Sequence, residues 1–148
     1  MKGEHLPGAD HVARLCPFAK LNEDSGEPGA AAFMLRTGEE YLSVNWLEYL
    51  GKPSRGEAIK ELRLLYGKKF RVGAKAKIAV LNVGDFTSYV QSEVATALAV
   101  LHEPLEPNGG VADPSHSGVY NLPAEGDPFA IVVGKLLATK VLEAVSAK

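Results

Sequence analysis

The stretch SRGEAIKELRLLYG at residues 54–67, followed by KAKIAVLN at residues 75–82, decides the fold class of this chain. Ser54 and Glu57 have the spacing of a capping box, in which the serine oxygen accepts from the N3 amide and the glutamate reaches back to the cap amide. The apolar side chains that follow at helical spacing are Ile59, Leu62, Leu65 and Tyr66. We therefore predict a helix over residues 55–66.

The second half of the stretch has a different periodicity. Gly67 stands where a helix end needs a left-handed residue, so the helix is predicted to stop there. Residues 75–82 alternate at first and then become apolar, as a strand that enters a core does. A helix followed by such a strand indicates a mixed α and β domain.

Shorter segments on both sides add further elements. Strands are predicted for residues 11–16, 30–35, 41–44 and 96–102, and a short helix for residues 85–92. Asp127 and Pro128 are typical of a helix start, and the apolar stripe that follows runs to Val145. Residues 103–126, rich in proline and glycine, are predicted as one long loop.

These elements predict an α+β fold. We expect one domain over residues 1–148, with a small mixed or antiparallel sheet of about four or five strands. The two main helices are expected to pack on one face of that sheet. No internal repeat and no linker between two cores is present.

Composition and charge exclude several classes of protein. The 148 residues are 46% hydrophobic and 23% charged, which is near the globular average and excludes a disordered or fibrous class. The formal net charge of −2 argues against a strong overall polycation. Cys16 is the only cysteine, so neither an intrachain disulfide nor a cysteine-rich zinc cage can form.

The sequence also predicts a location. Its first ten residues hold one lysine and no apolar run of signal-peptide length, and no stretch of about 20 apolar residues occurs anywhere. A single cysteine fits a reducing compartment. We therefore expect a cytoplasmic protein without a membrane partner.

A first polar cluster combines His102 and Glu103 with Asp113 and His116. Histidine and carboxylate are ligands for divalent ions, and histidine is the usual acid or base near neutral pH. Adjacent strand residues point to opposite faces, however, so His102 and Glu103 would not easily share one metal. Asp113 before proline also fits a plain Asx turn. His116 is the strongest single candidate for catalysis, and Asp113 a candidate for binding.

A second cluster is Ser43, Asn45 and Trp46, where a predicted strand leads into a short helical turn. Polar donors beside an aromatic wall are typical of ligand sites. The alternative is structural: Ser43 or Asn45 caps the turn through Leu50 while Trp46 fills the core. Ser43 is kept as a catalytic candidate, and the other two as binding candidates.

His11 and Arg14 form a third cluster on the first predicted strand, where strand alternation places them on opposite faces unless a bulge intervenes. Arg14 can clamp a phosphate or carboxylate, and His11 is a further candidate acid or base. A pairing of Arg14 with Glu39, Glu40 or Glu48 is an equally good interpretation.

A basic segment at residues 68–77 holds five cations and no acid, whereas residues 103–127 carry only acids. Its members are Lys68, Lys69, Arg71, Lys75 and Lys77. Such a segment can attract nucleic acid or an acidic partner in a salt-sensitive way. It can equally be an ordinary solvated surface. We take Lys68, Lys69 and Arg71 as binding candidates.

Common catalytic motifs are absent. The sequence contains no Walker A, GxGxxG, HExxH, GxSxG or CxxC pattern. These absences count against the commonest NTPases, dinucleotide enzymes, zincins and α/β-hydrolases. They point to no particular cofactor or metal.

Three strings carry a family resemblance: LSVNWLE at residues 42–48, HEPLE at residues 102–106 and DPSHS at residues 113–117. Together they resemble a group of small, uncharacterised bacterial proteins. The resemblance spans most of the chain. It implies a bacterial setting and no particular chemistry.

Three functional hypotheses follow. The first is a non-catalytic accessory or binding protein that engages a protein partner through residues 103–126 or the basic segment. The second is a small enzyme acting on a nucleotide or phosphoester, with His116 as acid or base, Arg14 on the anionic group, and Ser43 and Asn45 as orienting donors. The third is nucleic-acid binding through residues 68–77.

Overall fold

The computed structural model describes residues 2–107 and 110–148, and this part of the chain contains six strands and three α-helices. In chain order they are β1 (His11–Cys16), β2 (Leu42–Trp46), α1 (Arg55–Lys69), β3 (Lys77–Asn82), α2 (Val83–Val94), β4 (Ala99–His102), β5 (His116–Tyr120), α3 (Phe129–Thr139) and β6 (Glu143–Ser146). The strands form one sheet in the order β4-β5-β2-β1-β3-β6. Every pairing is antiparallel, which confirms the predicted α+β class.

The pairings of β1 with its two neighbours differ in length. All six residues of β1 align with β3 without a bulge, from His11 opposite Asn82 to Cys16 opposite Lys77. The ladder between β1 and β2 has only two pairs and stops at Ala13 opposite Asn45. Beyond that point β1 and β2 separate, and the sheet opens.

Helix α1 covers one face of the sheet. Its buried residues Ala58, Ile59 and Leu62 pack with Ile78 and Val80 of β3. Ser54 caps the helix, since its side-chain oxygen accepts from the amide of Glu57, as the sequence predicted. The start of α1 is therefore fixed by its own sequence, whereas the buried face of the helix is determined by packing on the sheet.

Helices α2 and α3 cover the opposite face. Phe86 and Val90 of α2 join Val133 and Leu137 of α3 in a core with Val12 of β1. The two main helices thus do not share one face, contrary to our expectation. Strands β1 and β3 carry apolar residues on both faces of the sheet. Both faces are therefore buried, and each needs a helical layer.

The predicted strand at residues 30–35 is instead a short 3₁₀ helix, Ala30–Phe33. Three consecutive alanines have little preference for a strand, and the turn packs against α3. Gly134 of α3 makes this contact possible, because a Cβ there would lie 2.7 Å from the carbonyl oxygen of Ala30.

The long loop predicted for residues 103–126 is wrong in its centre, where β5 forms. His116, Ser117 and Gly118 carry no strong strand signal, yet all three are buried and pair with β2, and Ser117 and Gly118 also pair with β4. Tertiary pairing on two sides overrides the weak local preference. Residues 108 and 109 of the predicted loop lie outside the described residues.

Two helix ends also differ from the prediction. Helix α1 passes Gly67 and ends at Lys69, and α3 ends at Thr139, so that Val145 lies in β6 rather than on a helical stripe. The β6 strand completes the sheet edge beside β3. Within the described residues, no helix combines the length and apolar character needed to cross a bilayer.

We expect the same substitution to have opposite effects in two helices. Gly134→Ala should lower the free energy of unfolding, although alanine favours helix by about 1 kcal/mol, because the new methyl group meets the backbone of Ala30 and the side chain of Met34. Gly67→Ala meets nothing within 4 Å and should raise it by up to about 1 kcal/mol. Chemical denaturation of both variants measures this. A stabilised Gly134→Ala variant would contradict the close packing.

Candidate functional site

A cleft of about 630 Å³ lies where β1 and β2 separate. Its walls come from the ends of β1 and α1, from β2, from the first residue of β5 and from residues 34–39. Six of the candidates from the sequence line it: Arg14, Ser43, Asn45, Lys69, Arg71 and His116. They come from four separate segments, which meet at the cleft.

Arg14 fills the opening between the two strands. Its Nη1 donates to the carbonyl of Ser43 at 2.8 Å, and its Nε donates to the carbonyl of Ala32 at 2.6 Å. The backbone carbonyl of Ser43 therefore accepts from a guanidinium at the place where a continued ladder would supply a backbone amide of β1. In the described part of the chain, no carboxylate lies within ion-pair distance of Arg14. The charge of Glu39, which also lines the cleft, acts on Arg14 from a distance, but the two side chains form no ion pair.

Ser43 and His116 form a hydrogen-bonded pair on the cleft wall. The Nε2 atom of His116 lies 3.2 Å from Ser43 Oγ, and its Nδ1 lies 2.8 Å from the carbonyl oxygen of Glu103. A carbonyl can only accept, so Nδ1 carries the proton of the neutral ring. Nε2 is then free to accept from the Ser43 hydroxyl. This is the geometry of a hydroxyl, a base and a group that orients the base.

Burial makes His116 a neutral base. Desolvation lowers the pKa of the imidazole below its usual value, although the hydrogen bond to Glu103 and the charge of Asp113 act in the opposite direction. The ring is further held by Tyr41, whose ring centroid lies 5.8 Å away in an edge-on arrangement. Near neutral pH His116 is thus unprotonated at the atom that faces Ser43.

A buried polar network fixes the floor of the cleft. Asn45 Nδ2 donates to Asp113 Oδ1 at 2.8 Å and to Ser115 Oγ at 2.9 Å, while its Oδ1 accepts from the Tyr66 hydroxyl at 2.8 Å. Lys69 Nζ donates to Asp113 Oδ2 at 2.6 Å. Asp113 is fully buried, and its carboxylate is satisfied on both oxygens. The network joins β2, α1 and the start of β5.

The Asx turn expected at Asp113 is replaced by a backbone turn. The amide of His116 donates to the carbonyl of Asp113 at 3.2 Å, which leaves the carboxylate free for the network. Ser117 makes a local hydrogen bond, in which its hydroxyl donates to the carbonyl of Ser115. Neither Ser43 nor Asn45 caps the turn Glu48–Leu50, so the capping alternative is wrong.

Positive charge is concentrated in the cleft. Its lining includes one carboxylate, Glu39, and five cations: Arg14, Lys20, Arg36, Lys69 and Arg71. Lys69 is paired with Asp113 and Arg36 with Glu39, at 2.6 Å and 3.5 Å. The remaining three cations have no ion pair within residues 2–107 and 110–148. A chain of net charge −2 therefore presents a locally cationic cleft.

The basic segment does not form one continuous surface. Lys69 turns inward to Asp113, and Lys77 pairs with Glu27 at 3.2 Å. Arg71 lines the cleft, whereas Lys68 is exposed and does not. The segment is divided between the cleft and the outer surface.

Three candidates or partners lie elsewhere. His11 is bound to Glu48 through Nδ1 at 2.6 Å and does not line the cleft. Trp46 donates to Asp10 and packs its ring 5.2 Å from that of His102. His102 pairs in register with Ser117, so it points to the opposite sheet face from His116.

Several residues that line or support the cleft were not predicted from the sequence. Tyr66 was interpreted as a core position, and Glu103 as a strand-end carboxylate rather than the backbone acceptor that orients His116. Phe18 and Phe70 gave no functional signal. Phe18 lies just after β1 and Phe70 just after α1, each near a lysine, but this placement does not predict a binding role from the sequence alone. Within the described residues, no group of three or more His, Cys, Asp or Glu side chains is arranged to hold a metal ion.

No protein-family model, curated protein or solved structure matches this chain. The resemblance to small bacterial proteins therefore stays a prediction. Functional inference rests on the geometry and charge of the cleft.

We expect the His116 ring to titrate below about 6.5, its ordinary pKa, and to keep its neutral proton on Nδ1. The unfolded chain takes up the titrating proton at a higher pH than the folded chain. The stability that the neutral ring contributes is therefore complete above the unfolded pKa and is lost as the pH falls through the lower folded pKa. Nitrogen chemical shifts in an NMR titration, assigned with the His116→Asn variant, measure both the pKa and the tautomer of the ring. A neutral ring protonated at Nε2 would contradict the geometry.

Asp113→Asn should destabilise the fold by about 3 kcal/mol, because it breaks a buried ion pair and leaves donors of the network unmatched. Glu27→Gln is the matched control. It breaks the more exposed pair with Lys77 and should cost less than about 1 kcal/mol. Equal losses in chemical denaturation would show that the network contributes no more than a surface pair.

Proposed function

We propose that this protein is a small enzyme that acts on a phosphoester bound in the cleft, with His116 as general base and Ser43 as nucleophile. The hydrogen bond between Ser43 Oγ and His116 Nε2 carries the proposal, because it joins a hydroxyl to a neutral, oriented base. The unpaired cations Arg14, Lys20 and Arg71 lie around the same space. A phosphate group complements both features.

The reaction can be written with these residues and water. His116 Nε2 takes the hydroxyl proton as Ser43 Oγ attacks phosphorus, and the bond from phosphorus to the leaving oxygen breaks. The imidazolium returns that proton to the leaving alkoxide. Water, deprotonated by the neutral ring, then attacks phosphorus, and the bond from phosphorus to Ser43 Oγ breaks. The imidazolium gives its proton to Oγ, which restores the hydroxyl, and the product is phosphate from a monoester or a phosphomonoester from a diester.

Arg14 and Arg71 have separate roles in this scheme. Arg14 is held by two backbone carbonyls and offers a fixed charge close to Ser43. Burial lowers the pKa of its guanidinium, but arginine remains protonated throughout the physiological range. Arg71 is exposed at the cleft rim and can move toward the substrate. The first stabilises charge at the reacting phosphate, and the second favours binding.

The other two hypotheses have less support. A protein partner was expected at residues 103–126, yet residues 116–120 of that range lie inside the sheet. Nucleic-acid binding was expected along residues 68–77, yet Lys69 and Lys77 are engaged in ion pairs. The cleft brings more of the candidate residues together than either surface.

Hydrolysis of p-nitrophenyl phosphate and bis(p-nitrophenyl) phosphate, followed by release of nitrophenol, tests the proposal. We expect His116→Asn and Ser43→Ala each to lower kcat by roughly 100-fold or more, since general-base catalysis alone contributes about that factor. Arg71→Gln should mainly raise KM. His11→Asn and Lys68→Gln are matched controls, because neither residue lines the cleft.

Circular dichroism and thermal unfolding should show that the variants remain folded. Turnover of neither ester by the wild-type chain, or unchanged turnover in His116→Asn, would reject the enzymatic proposal. A loss of activity in His11→Asn equal to that in His116→Asn would place the chemistry outside the cleft.

A further inference from the structure

Two phenylalanines border the cationic cleft while most of their surface faces solvent. Phe18 follows β1 and is 63% exposed, and Phe70 follows α1 and is 51% exposed. Both are part of the cleft wall, together with the exposed Leu105. Apolar side chains grouped at the mouth of a polar cleft are typical of a surface that a ligand covers.

A cation lies beside each ring. Lys75 Nζ is 5.1 Å from the centroid of Phe18, and Lys69 Nζ is 5.4 Å from that of Phe70. The ammonium groups occupy part of each ring surface, while the exposed fraction of each side chain indicates that much of the rest is open. Flat aromatic surface next to positive charge is a combination that also recurs where proteins hold a base and its phosphate.

From this arrangement we propose that the cleft binds a nucleoside monophosphate, with its base against Phe18 or Phe70 and its phosphate among Arg14, Lys20 and Arg71. The proposal rests on the phosphoester chemistry inferred above and names the class of substrate. A volume of about 630 Å³ is that of a small-molecule site. We therefore favour a mononucleotide over a nucleic-acid strand.

The aromatic rim predicts a specific pattern of affinities. Stacking of a base on an aromatic side chain contributes roughly five- to a hundred-fold in affinity. At least one of the four common ribonucleoside monophosphates should thus bind ten-fold or more tightly than ribose 5-phosphate. Isothermal titration calorimetry on the full chain measures these affinities, with Ser43→Ala used to prevent turnover.

Phenylalanine variants separate the base from the phosphate. In the Ser43→Ala background, Phe18→Ala or Phe70→Ala should weaken nucleotide binding about five-fold or more and leave ribose 5-phosphate within two-fold. Phe129→Ala is the matched control, since Phe129 on α3 is 59% exposed but does not line the cleft. It should change neither affinity.

The failures of the two proposals are distinguishable. Equal binding of nucleotides and ribose 5-phosphate, with both dependent on Arg71, would overturn the nucleotide assignment and leave the phosphoester proposal standing. Absence of binding by every phosphate probe would reject both. A single-stranded oligonucleotide that binds over ten-fold more tightly than any mononucleotide would replace the small-molecule assignment with a nucleic-acid strand.

Discussion

The buried carboxylate of Asp113 is the interaction on which the site depends. The carboxylate accepts from Lys69 and Asn45, and the backbone carbonyl of Asp113 accepts from the amide of His116. One residue thereby fixes α1 to β2 and sets the turn from which β5 begins. A buried charge is costly unless it is fully hydrogen-bonded, so this arrangement strongly favours one relative position of the three segments. His116 faces Ser43 because that position is fixed.

The cleft follows from a short strand pairing. β1 is fully paired with β3 but leaves β2 after two residues, and Arg14 satisfies the carbonyl of Ser43 that the broken ladder exposes. Backbone acceptors that are buried need a donor, and a guanidinium supplies one while adding charge. The same side chain therefore closes the gap in the sheet and makes the cleft cationic. Fold and candidate chemistry are coupled at Arg14.

Capping residues and hydrophobic periodicity predicted the elements that their own sequence determines. The Ser54 cap and the apolar period of α1 were sufficient for that helix, and β1 was correct to the residue. β5 was missed because His116 to Tyr120 become a strand only through neighbours on both sides. Residue chemistry singled out Ser43 and His116, but their contact depends on the register of β2 with β5. Nothing local determines that register, and His11, equally suitable by chemistry, begins β1 and is bound to Glu48 outside the cleft.

Overall composition concealed the charge of the cleft. A net charge of −2 argues against a polyanion-binding surface, yet it averages over pairs that neutralise each other. Asp113 neutralises Lys69 and Glu39 neutralises Arg36, so neither pair adds much field at the cleft. Arg14, Lys20 and Arg71 make no ion pair in the described chain, although the charge of Glu39 also acts on Arg14. Part of their surroundings is protein of low dielectric. Three such charges around a neutral histidine suit a phosphate: the cations hold the anion, and the neutral ring can still accept a proton.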